Sequence, residues 1–196
     1  MKHRLGRIIA LMLPVFLFIP SLVSAHTGVG PTIGFWYGFI HPFSGLDHIL
    51  AMVAVGIWAA QLGGKALWIV PSTFVSAMIV GGILGINGVA LPFVEQGIIM
   101  SILILGVLIV AAARLPIGIS TLLVGLFAIF HGHAHGTEMP LAMSGLRYGL
   151  GFISATILLH ASGISLAVLL RKIQHSQVLR FAGVGIVMAG IVLSLS

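Results

Sequence analysis

The chain has 196 residues, of which 59% are hydrophobic and only 6% are charged, and it contains no cysteine. This composition excludes a soluble enzyme domain, and the absence of thiols excludes disulfides, iron–sulfur clusters and the softest copper sites. The formal net charge of +6 does not indicate nucleic-acid binding, because the basic residues stand singly at the ends of apolar runs. Apolar runs of transmembrane length recur, which predicts an integral protein of a lipid bilayer.

Residues 1–25 have the pattern of a secretory signal peptide. Basic residues precede an apolar segment over 8–19, and Ala25 ends a run of small or aliphatic residues suited to cleavage. The alternative is an uncleaved first helix, but this apolar segment is interrupted by proline and is short for a membrane span. We therefore expect cleavage after Ala25. Residues 26–196 would then form a single transmembrane domain that begins with His26 outside the cytoplasm.

The remaining sequence predicts an all-α membrane protein, a six-helix transmembrane bundle. Proline residues and an Asn-Gly pair mark the turns between the apolar stretches. A short outer piece carrying Trp36 and Tyr37 precedes the first full helix. Pro42 is expected to interrupt the chain between them, with His41 at the break. The six helices are expected over about 44–61, 66–86, 94–113, 116–135, 142–163 with a continuation toward 170, and 178–195.

The positions of the basic residues test this topology independently. With the mature N-terminus outside, only Arg147 of the remaining Lys and Arg residues falls on the outer side. An excess of Lys and Arg in cytoplasmic loops sets the orientation of membrane proteins. The pattern fits a multi-pass protein of a bacterial inner membrane with both termini outside. The residues assigned to the cytoplasmic side are Lys65, Arg114, Arg171, Lys172 and Arg180.

Two of the three carboxylates of the chain lie inside histidine-rich segments, at 41–48 and 131–138. Ionisable groups at membrane depth are costly and mark a site or a pathway. Histidine combined with carboxylate predicts a divalent metal ion, although donor chemistry alone does not choose between Ni²⁺, Co²⁺ and Zn²⁺. Under the predicted topology the first segment begins an inward helix and the second ends an outward one. Both segments therefore fall on the outer side, where we expect them to share one site.

Spacing within each segment supports a shared site. His131 and His135 are four residues apart on one helical face, and Glu138 lies three residues further on. His41 and His48 are seven residues apart, which is about two helical turns. They therefore face the same way if the helices on both sides of the break have the same rotational register.

Some of these residues have structural alternatives. Asp47 and His48 can form a hydrogen-bonded pair that closes the start of a helix, since an unpaired charge there would be costly. Glu138 can pair with Arg147 near the membrane interface. For the histidines at 131 and 135, the alternative is likewise a purely structural role.

Three further histidines are weaker candidates. After cleavage His26 would carry a free α-amine beside its imidazole, a chelating pair whose alternative is a disordered chain end. His133 points away from the 131 and 135 positions, which favours a supporting or solvated position over that of a flexible outer ligand. His160 lies about 25 Å along the fifth helix from its outer end. It is either an inner ligand or a packing histidine bonded to a neighbouring helix.

Together the two segments resemble the paired signature motifs of the HupE/UreJ family of nickel and cobalt permeases. The matching strings are His41-Pro42-x-x-Gly45-x-Asp47-His48 and Phe130-His131-Gly132-x-Ala134-His135-Gly136-x-Glu138. The resemblance extends over the whole chain and implies uptake of Ni²⁺, or next Co²⁺, for metalloenzymes such as hydrogenase and urease. The metal is then cargo rather than a catalytic cofactor, and the protein is not an enzyme. The implied ligands are His41, Asp47, His48, His131, His135 and Glu138.

Two other functions stay open on the residues alone. An intramembrane metal-dependent hydrolase would need three ligands, a bound water and a general base, for which Glu138 or Asp47 is available. A shortage of polar groups for substrate binding disfavours it. A metal-donating subunit of a larger membrane complex is the other alternative. The sequence also leaves open whether the protein forms a homo-oligomer.

Overall fold

The computed structural model describes residues 33–140 and 144–195. Within these ranges the chain is helical apart from turns, which confirms the predicted all-α class. The predicted signal peptide and His26 lie outside the described residues. The helices are α1 (Ile33–Ser44), α2 (Leu46–Leu62), α3 (Ala66–Ile86), α4 (Val94–Ala111), α5 (Ile117–Glu138), α6 (Gly145–Lys172) and α7 (Gln177–Ser194).

The length and apolar character of the helices identify a multi-pass membrane protein. Helices α3 to α7 are five candidate spans by these criteria. α1 and α2 pass the same test together, although the chain bends by 85° between them, and this pair raises the number of spans to six. The sequence predicted six helices, with bounds within a few residues of those observed. The largest difference from the predicted bounds is at α6, which continues past 163 and ends at Lys172.

The break in the first span lies at Gly45 and not at Pro42. Pro42 is inside α1, in its last turn, where a missing N–H removes only one hydrogen bond before the helix ends. Gly45 has extended backbone angles (φ −109°, ψ 123°), and Ser44 Oγ donates to the carbonyl oxygen of His41 at 2.6 Å. The prediction that Pro42 interrupts the chain is therefore wrong by three residues, and His41 is helical.

α2 is the central helix of the bundle. Its residues between Ala51 and Ala60 are buried with few exceptions, and it packs mainly against α6, α4 and α3. A helix that is apolar on all sides belongs in the interior of a bundle. Asp47 and His48 belong to the first turn of this helix. Their backbone therefore lies close to the centre of the bundle.

α3 and α5 form the most extensive helix contact. A Cβ atom at Gly132 would overlap the carbonyl oxygen of Met78, and one at Gly136 would overlap the backbone of α3 one turn later. Small residues let the backbones of transmembrane helices approach closely. This contact fixes the rotation of α5, and with it the direction of the face that carries His131 and His135.

The two ends of the bundle carry different side chains. α2 begins and α5 ends at one end, which holds both histidine-rich segments and is called the histidine end below. The opposite end, called the basic end, is formed by the turns after α2, α4 and α6. Arg171 donates to the carbonyl oxygen of Ala60 at 2.9 Å, and Arg180 to that of Val110 at 2.7 Å. The basic end holds Lys65, Arg114, Arg171, Lys172 and Arg180.

Candidate metal centre

Three histidines from three helices meet at the histidine end. His41 lies in the last turn of α1, His48 in the first turn of α2 and His135 in the last turn of α5. One ring nitrogen from each lies within 4.8 Å of the other two. The ring centroids of His48 and His135 are 4.2 Å apart, and those of His41 and His135 are 4.9 Å apart. We call these three residues the histidine cluster.

The bend at Gly45 is what joins His41 to the cluster. Residues seven apart in a straight helix are separated by about 10 Å along the axis. The ring centroids of His41 and His48 are only 6.4 Å apart, because the chain turns by 85° between them. Their proximity therefore comes from a broken helix and not from a helical phase maintained across the break.

Two carboxylates border the histidine cluster. Glu138 Oε2 lies 3.2 Å from His41 Nε2 and 3.8 Å from His135 Nδ1. Asp47 Oδ2 lies 3.1 Å from His48 Nδ1, but the pair is not aligned as a hydrogen bond, so the contact is electrostatic. Among the described residues the ion pairs of Glu138 are with these histidines, and the alternative pairing with Arg147 is wrong.

Aromatic side chains of α6 pack against the cluster. The Phe152 ring centroid is 4.1 Å from that of His135, and the Tyr148 centroid is 5.9 Å from that of His41. The His135 side chain is 3% exposed, whereas that of Glu138 is 52% exposed. Neither ring nitrogen of His135 has a hydrogen-bond partner within the described part of the chain. Burial without a partner costs free energy, which a bound cation would offset.

His131 lies one turn deeper than His135, on the same face of α5. Its ring centroid is 5.7 Å from that of His48, and its Nε2 is 3.0 Å from Ser101 Oγ of α4. Ser101 Oγ donates to the carbonyl oxygen of Ile98 at 2.6 Å. The hydroxyl has only one proton, so this arrangement assigns Nε2 as the donor to Ser101. Nδ1 of His131 then keeps a free lone pair, as a metal ligand requires.

His133 and His160 lie outside the cluster. His133 is 6% exposed, and its Nε2 is 2.7 Å from the carbonyl oxygen of Val89, so it fastens the turn after α3 to α5. The solvated position that the sequence allowed for His133 is therefore wrong. His160 is buried in the middle of α6, where its ring centroid is 5.1 Å from that of Phe74.

The sequence did not point to three residues that surround these histidines. Ser101 is the only polar side chain in α4 beyond its first turn, and such a residue within a transmembrane segment is a signal that could have identified it. Phe152 and Phe74 are ordinary apolar residues in apolar helices. Nothing in the local sequence separates them from the many aromatic and aliphatic side chains that face lipid.

Comparisons with known proteins agree with the motifs. A family model described as HupE / UreJ protein matches residues 13–193. A curated relative, Protein HupE of Rhizobium leguminosarum bv. viciae, is 48% identical over 174 residues, which cover 89% of this chain and 91% of the relative. No solved structure matches the chain significantly. The family match over most of the chain, together with this relative, establishes that the protein belongs to the HupE / UreJ family.

Proposed function

We propose that this protein carries a divalent transition-metal ion across a bacterial inner membrane, Ni²⁺ foremost and Co²⁺ next, and so supplies metalloenzymes such as hydrogenase or urease. The proposal makes the ion the transported substrate and assigns no catalytic step to the protein. The observation that carries it is the histidine cluster, in which three imidazole nitrogens lie within 4.8 Å of one another beside two carboxylates.

The distances suit an ion that binds and leaves. Metal–imidazole bonds are about 2.0–2.1 Å long, so two nitrogens on one tetrahedral ion are about 3.4 Å apart. The nitrogens of the histidine cluster are within 4.8 Å of one another, so they need to close by up to about 1.4 Å. A site that needs a small closure binds less tightly than a rigid, complete one, and a conducting site must also release its ion.

The charges suit a divalent cation. Neutral imidazoles supply nitrogen donors, and Asp47 and Glu138 together offset a charge of +2. Glu138 is half exposed and therefore meets the ion first, while the buried His135 receives it after water is removed. His131, with Nε2 bonded to Ser101, adds a deeper nitrogen on the same helix face. The proposed ligands are the six motif residues His41, Asp47, His48, His131, His135 and Glu138.

The proposed direction is inward from the histidine end. The basic end carries Lys65, Arg171 and Arg180 among others, and such an excess is typical of the cytoplasmic side. On this orientation the cluster faces the outside, and an N-terminus produced by cleavage after Ala25 lies on the same side. His26 is proposed as a first chelating group on that side of the membrane.

The direct test is transport by the purified protein in liposomes that contain a metal-sensitive dye. We expect Ni²⁺ and Co²⁺ to enter, and we expect His48→Ala and His135→Ala to lower the rate by about 100-fold, since each removes a ligand. His175→Ala is the matched control. This histidine is exposed at the basic end, where its Nδ1 is 2.6 Å from the carbonyl oxygen of Ile173.

Each outcome of this test has a definite meaning. Equal uptake by the parent and both cluster variants would overturn the metal pathway. A folded parent that admits no ion but hydrolyses a lipid or peptide in a metal-dependent way would favour the hydrolase alternative. Uptake that appears only when a second membrane protein is added would favour the metal-donating subunit.

A further inference from the structure

His160 is a buried histidine whose ring has no hydrogen bond to any residue that the structure describes. Its side chain is 3% exposed, and neither ring nitrogen has a partner among residues 33–140 and 144–195. A histidine that only packs between transmembrane helices normally bonds to a neighbouring helix. His133 has a partner of this kind in the carbonyl oxygen of Val89, in the turn after α3, whereas His160 has none within the described ranges. A free pair of imidazole nitrogens in an apolar interior is costly unless a ligand uses it.

A series of rings connects His160 to the histidine cluster. The ring centroid of His131 is 5.7 Å from that of His48, and Phe74 of α3 follows at 5.7 Å from His131. The Phe74 centroid is in turn 5.1 Å from that of His160, with the rings at 89° to each other. We call these four side chains, His48, His131, Phe74 and His160, the ring series.

The ring series runs inward along the bundle. At ~1.5 Å per residue, His131 lies about 10 Å from the end of α5 at the histidine end. Phe74 lies about 18 Å from the corresponding end of α3, and His160 about 22 Å from that of α6. Three helices that are independent in sequence therefore give a consistent order of depth, and His160 is the innermost member.

The helix faces beside the ring series also fit together. On α6, Phe152, Thr156 and His160 follow one another at intervals of four residues, so they lie on one face. Phe152 contacts His135 of the cluster, and Thr156 Oγ1 lies 3.7 Å from the sulfur atom of Met78 on α3. The face that ends at His160 thus begins at the histidine cluster. Between the cluster and His160, this face contacts a hydroxyl and a thioether sulfur, those of Thr156 and Met78.

The backbone around His160 is held firmly. A Cβ atom at Gly56 of α2 would overlap the carbonyl oxygen of His160, and one at Gly163 would overlap the carbonyl oxygen of Val53. Two glycines facing each other let α2 and α6 meet closely at this depth. A ligand on such a rigid segment keeps its position while ions come and go.

We propose that His160 is an inner binding station for the same divalent ion, reached from the histidine cluster by way of His131 and past the ring of Phe74. This station rests on the transport function proposed above. Its chemical role is to give the dehydrated ion a nitrogen ligand in the middle of the bundle. Two stations of moderate affinity allow conduction where one tight site would trap the ion. Phe74 separates the stations, and its π-face attracts a passing cation.

The test compares His160→Leu, which removes both nitrogens at similar volume, with the parent and with His175→Leu. All are assayed for Ni²⁺ uptake into liposomes and for Ni²⁺ binding by equilibrium dialysis. We expect His160→Leu to lower uptake by about tenfold or more while the affinity of the outer cluster stays within about threefold of the parent value. One fewer ion per chain should bind at saturating Ni²⁺. His175→Leu should match the parent in both assays.

The outcomes separate this station from the transport function itself. Parental uptake and parental ion binding by His160→Leu, with uptake still lost in His135→Ala, overturns the inner station and leaves the proposed function intact. No uptake by the folded parent overturns the proposed function. If His160→Leu does not give folded protein, His160→Gln replaces it, because its amide keeps polar atoms at this depth but supplies no imidazole. The same loss of uptake is then expected, and parental uptake overturns the station.

Discussion

At the basic end of the bundle, polar side chains bond to backbone carbonyls at helix ends, whereas the three histidines of the cluster at the histidine end face one another. Trp58 Nε1 donates to the carbonyl oxygen of Ala113 at 3.0 Å, and Gln61 Nε2 donates to that of Ile109 at 3.2 Å. The Ala113 carbonyl lies beyond the end of α4, where intrahelical partners run out, and the Ile109 carbonyl also accepts from the backbone N–H of Ala112. At the histidine end, neither nitrogen of His135 has a hydrogen-bond partner within the described residues.

The difference separates stabilising polar groups from groups available for binding. A side chain that satisfies a helix end contributes to folding and has little capacity left for a ligand. A buried imidazole with a free lone pair weakens the fold until something binds to it. Changes at the histidine end should therefore alter metal binding, and changes at the basic end should alter stability.

The largest expected effect is on stabilisation of the protein by metal. Ni²⁺ at a hundred times its Kd should stabilise the folded parent by about 2.7 kcal/mol, because it binds only the folded form. His135→Ala should abolish most of this gain, and Arg171→Gln should keep it. The measurement is thermal unfolding in detergent with and without Ni²⁺. An equal Ni²⁺-induced shift in the parent and His135→Ala would contradict the assignment of metal binding to the histidine end.

The next effect concerns the charge at the opening of the cluster. Glu138→Gln should lower Ni²⁺ uptake about tenfold, since it removes the charge that pairs with His41 and His135. Glu95→Gln is the matched control, because Glu95 lies in the first turn of α4 at the same end. Initial rates in liposomes measure both variants. Similar losses in the two variants would point to general surface charge instead of a specific ligand.

A smaller effect is expected from Ser101. Ser101→Ala removes the acceptor for His131 Nε2, so the ring loses its fixed orientation, and Ni²⁺ affinity should fall by up to about tenfold. Ser154→Ala is the control, since Ser154 Oγ bonds only to the exposed Leu150 carbonyl of its own helix. Equilibrium dialysis gives both affinities, and Ser101→Thr should restore binding. Parental affinity in Ser101→Ala would mean that His131 needs no orienting partner.

The smallest effect on transport is expected at the basic end. Arg171→Gln removes the donor to the Ala60 carbonyl and should lower the free energy of unfolding by about 1 kcal/mol. Uptake per folded molecule should stay at the parental value. Denaturation in detergent and dye-based uptake test the two parts separately. A loss of uptake with parental stability would show that the basic end takes part in transport.

Much of the fold could be predicted because the length and hydrophobicity needed to span a membrane apply to each helix separately. A span needs about 20 apolar residues whatever its neighbours are, so the lengths of α3 and α4 are set by their own sequence. The break at Gly45 was misplaced for the converse reason. A proline in the last turn of a helix does not end it, and the chain bends three residues later, at Gly45, with α1 packed against α6.

The candidate site was only partly predictable. Histidines four apart on one helix are certain to share a face, so the pairing of His131 with His135 follows from spacing alone. Whether that face meets His48 depends on the rotation of α5, and this is set by Gly132 and Gly136 against the backbone of α3. The partner of Glu138 was equally undetermined, because a carboxylate near a helix end can reach several cations.

The sequence by itself determined a helical membrane protein of the HupE / UreJ family, with two histidine–carboxylate segments assigned to one side. These properties depend on composition, segment length and motif, each of which is local. Only the tertiary structure decided that His41, His48 and His135 come within 4.8 Å, that Ser101 orients His131 and that Phe74 links His131 to His160. Such contacts arise between helices distant in sequence. Their geometry depends on bend angles and close backbone packing that no local pattern records.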